Sequence, residues 1–211
     1  EPVYNVVGNE SNIIITSAES GINSLQELVE KAKTKGITVG KVTGVSIPSI
    51  ALAYLITETG LDFEDVTYIP YDGNAEIVSA VLGGHIDVGV VLPPGVTELV
   101  SQGRIKVLTV FTKERHELFP DVPSFEEIYP GDNYYYAIQG IVAPPGTPAE
   151  IIQVLEEALG KAVSDPEFLE AAKGTFSVQP MGAKELGENM RNFYNTAKEL
   201  KPILEKLEEE K

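Results

Sequence analysis

Residues 37–82 read ITVGKVTGVSIPSIALAYLITETGLDFEDVTYIPYDGNAEIVSAVL, and the alternation inside this stretch decides the fold. Ile37-Thr38-Val39 is short, apolar and β-branched, the pattern of a buried strand. The loop Gly40 to Ile47 follows, then a helix from Pro48 to about Thr59, with proline in the first turn where its missing N–H costs nothing. Val66-Thr67-Tyr68-Ile69 is the next strand, and Pro70 to Gly73 turns into a helix over Asn74–Leu82.

The same unit recurs on either side. Ile13-Ile14-Ile15-Thr16 reads as a strand closed by the turn residues Ser17 to Asn23. Ser24-Leu25-Gln26-Glu27 is a capping box, with Leu25, Leu28, Val29 and Ala32 as the stripe of a helix that Gly36 ends. Downstream come a strand over Ile86–Val91, a short helix over Gly95–Gln102 and a strand over Ile105–Phe111. Strands and helices in strict alternation predict an α/β fold of parallel βαβ units, helices on both faces of the sheet.

After Phe111 the texture changes. Lys113 to Asn133 carries Pro120, Pro123, Pro130 and Gly131, the composition of a surface connector. Tyr136–Ala143 is one more strand, and Thr147-Pro148-Ala149-Glu150 combines a capping threonine, a first-turn proline and a box glutamate. Helices are expected over 148–163, 166–173 and 183–207, beside one short extended piece, Ser177-Val178-Gln179. Apolar helix stripes need a sheet or other helices to bury them. This tail is therefore expected to belong to a lobe built partly from other residues.

Acidic residues outnumber basic ones by 32 to 16, a formal charge of −16. Such a field repels a phosphate backbone and argues against sequence-independent nucleic-acid binding. With no cysteine, the chain has no disulfide, thiolate zinc site or cysteine nucleophile. Glu1-Pro2-Val3-Tyr4 is neither a signal peptide nor a translation start, so a leader removed or a start inside a longer protein is the expectation.

Few side chains offer reactive chemistry. The histidines, His85 and His116, have no partner at a metal-ligand spacing; His85 reads as an exposed turn and His116 as surface. Ser46 stands between strand and helix, where hydrolases place a nucleophile, but Pro48 occupies the position that motif gives to glycine. Anion binding suits the pattern better. Thr43, Gly44, Val45 and Ser46 precede a helix whose first amides lack intrahelical acceptors, although Ser46 alternatively only caps its own helix. Tyr71, Asp72, Gly73, Asn74 and Ala75 repeat the arrangement, the plain alternative being a turn with Asn74 as N-cap. Asp87, entering a strand after Gly83-Gly84, is a third candidate or simply a turn cap. In a parallel sheet the loops leaving strands 37–39 and 66–69 open on one edge, where ligands bind.

Several motifs in consistent order now resemble a known family, the tripartite tricarboxylate transporter receptors. They are Thr43-Gly44-Val45-Ser46, Pro70-Tyr71-Asp72-Gly73-Asn74-Ala75 and Leu82-Gly83-Gly84-His85-Ile86-Asp87-Val88. Gly103–Val110, Pro120-Asp121-Val122-Pro123-Ser124 and Ala143-Pro144-Pro145-Gly146-Thr147-Pro148 add to them, and the resemblance runs from Pro2 to the last helix. It implies a periplasmic-binding-protein-like (type II) architecture of two α/β lobes with parallel-rich sheets, the first lobe incomplete. It also implies an extracytoplasmic, periplasmic solute-binding receptor that holds a small carboxylate between lobes and passes it to membrane permease subunits. No cofactor, no metal and no catalysis are implied. Carried over by position, Thr43 to Ser46, Tyr71 to Ala75 and Asp87 would line one wall of the cleft.

The organisation expected from the resemblance is 1–10 as a crossing segment and 11–105 as a complete α/β lobe. Residues 106–133 would be a crossing strand and connector, and 134–211 the mostly helical C-terminal part of the other lobe. A separate chain or segment would supply what that lobe lacks. The family's lysine and second glycine after the proline-tyrosine pair are here Asp72 and Asn74, and Val45 stands where glycine is common. Asp72 adds repulsion toward a polyanion such as citrate, so an amino acid, whose ammonium Asp72 would face, is the ligand expected from that change. Two other functional classes stay open: a small α/β enzyme acting on an anionic substrate at the same loops, and a regulatory module, which would need a fused DNA-binding or signalling segment.

Overall fold

In the computed structural model, which describes residues 1–42, 47–131, 137–173 and 178–209, the chain begins β1 (Pro2–Glu10), β2 (Ile13–Ser17), α1 (Leu25–Lys35), β3 (Ile37–Val42) and α2 (Ile47–Thr59). It continues β4 (Val66–Tyr71), α3 (Asn74–Leu82), β5 (Val88–Val91), α4 (Thr97–Ser101), β6 (Ile105–Val110) and α5 (Phe125–Ile128). The last elements are β7 (Ala137–Val142), α6 (Ala149–Val163), α7 (Pro166–Ala172), β8 (Val178–Gly182), α8 (Ala183–Glu199) and α9 (Lys201–Glu209). They group into a larger unit, Ser11–Tyr135 with Leu200–Lys211, and a smaller one, Glu1–Glu10 with Tyr136–Glu199.

The larger unit is built on a five-stranded sheet in the order β4-β3-β5-β2-β6. β3 runs parallel to β4 and β5, whereas β2 is antiparallel to both β5 and β6. The sheet is parallel-rich as expected, but one strand departs from the parallel βαβ units: four strands share a direction and β2 opposes them. The Ile13-Ile14-Ile15 run does not signal its own direction, because it is buried on both faces. Ile14 joins a core with Leu28 of α1, Leu52 of α2 and Leu204 of α9, while Ile13 and Ile15 join another with Ile77 and Val81 of α3. Period-two alternation thus survives inside an all-apolar strand. Each such isoleucine, fully buried, contributes about 1.5–3 kcal/mol of transfer free energy.

The Ser24 cap read from the sequence forms where expected. Ser24 accepts from the Glu27 amide at 3.1 Å, and Glu27 reaches back to the Asn23 amide at 2.7 Å. β5 starts at Val88 and not at Ile86, and His116 is buried, not on the surface, 6% exposed with Nδ1 accepting from the Leu118 amide. The helix expected over 183–207 is broken at Leu200. Pro202 has no N–H to donate, and its ring would clash with the carbonyl four residues back in a continuous helix. α9 therefore starts afresh, and Leu204 and Leu207 on it, with Leu200 just before it, are buried in the larger unit.

The smaller unit has a three-stranded sheet in the order β7-β1-β8, antiparallel throughout, so the expectation of parallel-rich sheets holds only for the larger one. α6 and α8 both pack on β1 and β8. Its core is small, centred on Val3, Tyr4 and Val163 with Ile152 and Leu159 packed against them. Thr147 does not cap α6: its hydroxyl donates to the Pro144 carbonyl at 2.8 Å, closing the preceding turn and leaving Pro148 as N-cap.

Candidate functional site

β3 and β4 end together. Their parallel register pairs Ile37 with Val66 and runs to Val42 beside Tyr71, so the segments that follow both strands leave from one rim of the sheet. Thr43, Gly44, Val45 and Ser46 follow Val42 in the chain and lie outside the described residues. Tyr71 closes β4 half-buried, Asp72 and Gly73 make the turn, and α3 opens at Asn74 with Ala75 in its first turn.

The N-cap of α3 is Gly73, not Asn74, so no side chain closes the first amides of the helix. That leaves a turn of N–H donors and the positive end of a nine-residue helix at the rim. The anionic groups beside it are exposed. Asp72 donates its amide to Glu76 Oε2 at 3.2 Å, which brings a second carboxylate to the same helix start. Neither carboxylate pairs with a cation among the described residues.

Two glycines set the height of α3 above the sheet. Gly40 and Gly89 are register partners on β3 and β5, and Ile77 of α3, fully buried, rests on both. A Cβ at Gly89 would meet Ile77 Cγ2 at 2.4 Å; one at Gly40 would meet Ile86 Cδ1 at 2.6 Å and Tyr71 Cε2 at 3.3 Å. The glycine floor therefore seats both α3 and the ring of Tyr71. Neither residue was singled out by sequence reading, although glycine inside an apolar strand is the known sign of a close approach.

Asp87 is placed elsewhere. Its Oδ2 accepts from the Thr38 amide at 2.8 Å and the Thr38 hydroxyl at 2.9 Å, and Lys31 Nζ lies 2.5 Å from Oδ1. Burial pushes this carboxyl up, but hydrogen bonds from Lys31 and Thr38, with the Lys31 charge, bring it below the ordinary carboxylate range. Thr38 is four residues before Val42 on β3, roughly 13 Å of strand. The structure thus gathers Tyr71 to Ala75 at the carboxyl-end rim and leaves Asp87 at the amino end, clamping β5 to β3. Strand polarity carries that signal in the sequence: a residue that enters a parallel strand stands at its amino end.

Lys41 is a further feature that sequence reading passed over. It is 5% exposed, donates to the Leu207 carbonyl of α9 at 2.5 Å and lies 5.6 Å from the Tyr68 ring centroid. A cation at the carbonyl end of a helix is favourably placed. Among the described residues no three His, Asp or Glu side chains gather as metal ligands, and no helix is long and apolar enough to cross a membrane.

Residues 1–208 match the family described as tripartite tricarboxylate transporter family receptor. A relative from Cupriavidus necator, the UPF0065 protein in gbd 5'region, is 30% identical over 209 residues, covering 97% of this chain and 61% of its own length. The chain thus spans about three-fifths of that relative. The crystal structure of a TctC solute binding protein from Polaromonas superposes with a TM-score of 0.82 at 26% identity, over 94% of this chain and 68% of the other. The R. palustris protein Rpa4515, solved with adipate, shares the fold at a TM-score of 0.73 and 19% identity, with 94% and 68% covered.

Proposed function

The chain belongs to the tripartite tricarboxylate transporter receptor family, and from that premise we propose that it is an extracytoplasmic solute-binding receptor for a small carboxylate, which it delivers to a membrane permease. The observation that carries this reading is the unclosed helix start of α3 at the rim shared by β3 and β4. Amide donors at a helix N-terminus recognise a carboxylate without a reactive side chain. Gly73, Asn74 and Ala75 supply them here, and Tyr71 forms the wall beside them. The adipate held by Rpa4515 is a ligand of this chemical kind.

Asp72 selects among carboxylates. Together with Glu76 it repels a second negative group and attracts an ammonium, so glutamate or aspartate should bind better than adipate. Asp87, engaged with Lys31 and Thr38, has no part in the site. A ligand that binds the folded state alone raises the unfolding temperature by mass action. Thermal unfolding with millimolar glutamate, aspartate, malate and adipate tests the reading. A rise of several degrees with at least one of them is expected, largest for the amino acids; no rise with any carboxylate would overturn it. Asp72→Asn should reverse the preference while leaving unliganded stability unchanged.

A further inference from the structure

A third loop opens on the rim shared by β3 and β4. β5 runs parallel to β3 with Gly89 beside Gly40, and two residues further on Val91 ends β5 level with Val42 and Tyr71. The segment that leaves β5, Leu92-Pro93-Pro94-Gly95, therefore starts from the same edge of the sheet as the turn into α3. It also leads to the same face: Val96 and Leu99, just beyond it, share a core with Ile77 and Val81 of α3.

Its chemistry is the opposite of that of the helix start. Leu92, Pro93 and Pro94 carry no polar side-chain atom, and the two prolines have no N–H to offer. The Val96 amide donates back to the Pro93 carbonyl at 3.1 Å, which folds the segment into one tight turn. Pro93 is buried, whereas Pro94 and Gly95 are exposed. Leu92 is half-buried, and among the described residues neither apolar core of the larger unit takes it in. Binding sites pair a few fixed polar groups with apolar walls, and this turn supplies the second element beside the amides of α3. β4 and β5 are separated by β3 alone, two strand spacings or about 10 Å, which suits a short aliphatic chain laid along the edge.

We propose that Leu92 and Pro94 are specificity-determining residues of the carboxylate site and select an amino acid with an aliphatic side chain. This rests on the carboxylate reading above and adds a third group to it. The α-carboxylate lies on the amides of Gly73 to Ala75, the ammonium faces Asp72 and Glu76, and the hydrocarbon chain runs along the rim to Leu92 and Pro94. A side-chain carboxylate in that place loses its hydration against leucine and proline, with no donor to replace it. Norleucine and leucine therefore rank above glutamate and aspartate.

Calorimetric titration of the 211-residue chain with norleucine, leucine, glutamate and alanine tests the assignment. Norleucine or leucine should bind at least about tenfold more tightly than alanine, since three further carbons leave water, and more tightly than glutamate. Leu92→Asn should bring the norleucine-to-alanine ratio below about threefold. Pro94→Ser, at an exposed position where the fold tolerates the change, should lower the same ratio. Glutamate binding with norleucine no tighter than alanine would overturn this inference and leave the carboxylate reading standing. An unchanged ratio in both variants would also overturn it. No binding of any of the four, nor of malate or adipate, would overturn both.

Discussion

The two units solve one packing problem with different resources. In the larger, five strands take helices on both faces, and Leu118 is the only large apolar side chain exposed among its described residues. In the smaller, three strands serve helices of greater length, and nine such side chains are exposed: Ile141, Val142, Ile151, Val154, Leu155, Leu169, Met190, Phe193 and Tyr194. The helices are not at fault, since α6 and α8 are as clearly striped as α1. What differs is sheet width, and the rim with the uncapped start of α3 belongs to the larger unit.

The sharpest way to break this comparison is to truncate one apolar side chain in each unit. Phe125, fully buried, stacks on Phe111 at a centroid distance of 4.6 Å, and Phe125→Ala should cost about 3–5 kcal/mol in urea unfolding. Val154→Ala in the smaller unit should stay within about 0.5 kcal/mol. Comparable losses at both positions would show that the exposed face is packed in solution. Next in size is Gly89→Val, which overpacks Ile77 and should cost about 1–3 kcal/mol. Because α3 rides on that contact, carboxylate affinity should fall with it; unaltered affinity would separate the floor from the site.

Asp87→Asn should cost about 1–3 kcal/mol by loosening the contacts to Lys31 and Thr38, with little change in ligand binding. The sign with pH is definite. The folded carboxyl sits below its ordinary value, so its stabilisation is present above the unfolded pKa and disappears as pH falls through the folded one. A variant insensitive to acid in that window is the expected result. The smallest effect belongs to His116, whose pKa burial lowers against the opposing charge of Glu117. Its neutral Nδ1 accepts from the Leu118 amide, so stability should decline by less than about 1 kcal/mol as pH drops below about 6.5, and His116→Gln should flatten that slope.

Much of the larger unit could be read from residues in sequence. The apolar run 13–15, the Ser24 cap and the mostly apolar helix after Pro48 depend on local chemistry, and local chemistry is what a sequence displays. The direction of β2 could not be read, because burial on both faces erases the asymmetry that would show it. The rim was legible as far as Tyr71 to Ala75, since a strand followed by a glycine turn and a helix has one geometry. Gly73 replacing Asn74 as N-cap is a shift of a single residue, within the usual latitude of helix ends. Asp87 stands at the amino end of β5, where strand polarity places a residue that enters a parallel strand, engaged with Lys31 and Thr38. Lys41 escaped notice because its acceptor, the Leu207 carbonyl, is 166 residues away.

That last separation bears on how the protein is made. The larger unit is assembled from residues 11–135 and then closed by α9, whose leucines fill the same core as α1 and α2. A ribosome delivers α9 some sixty-five residues after the rest of that unit, so until then the α2 surface and the Lys41 ammonium wait without their lid, open to chaperones and proteases. Translation order, and not only composition, therefore sets when the nascent molecule becomes safe.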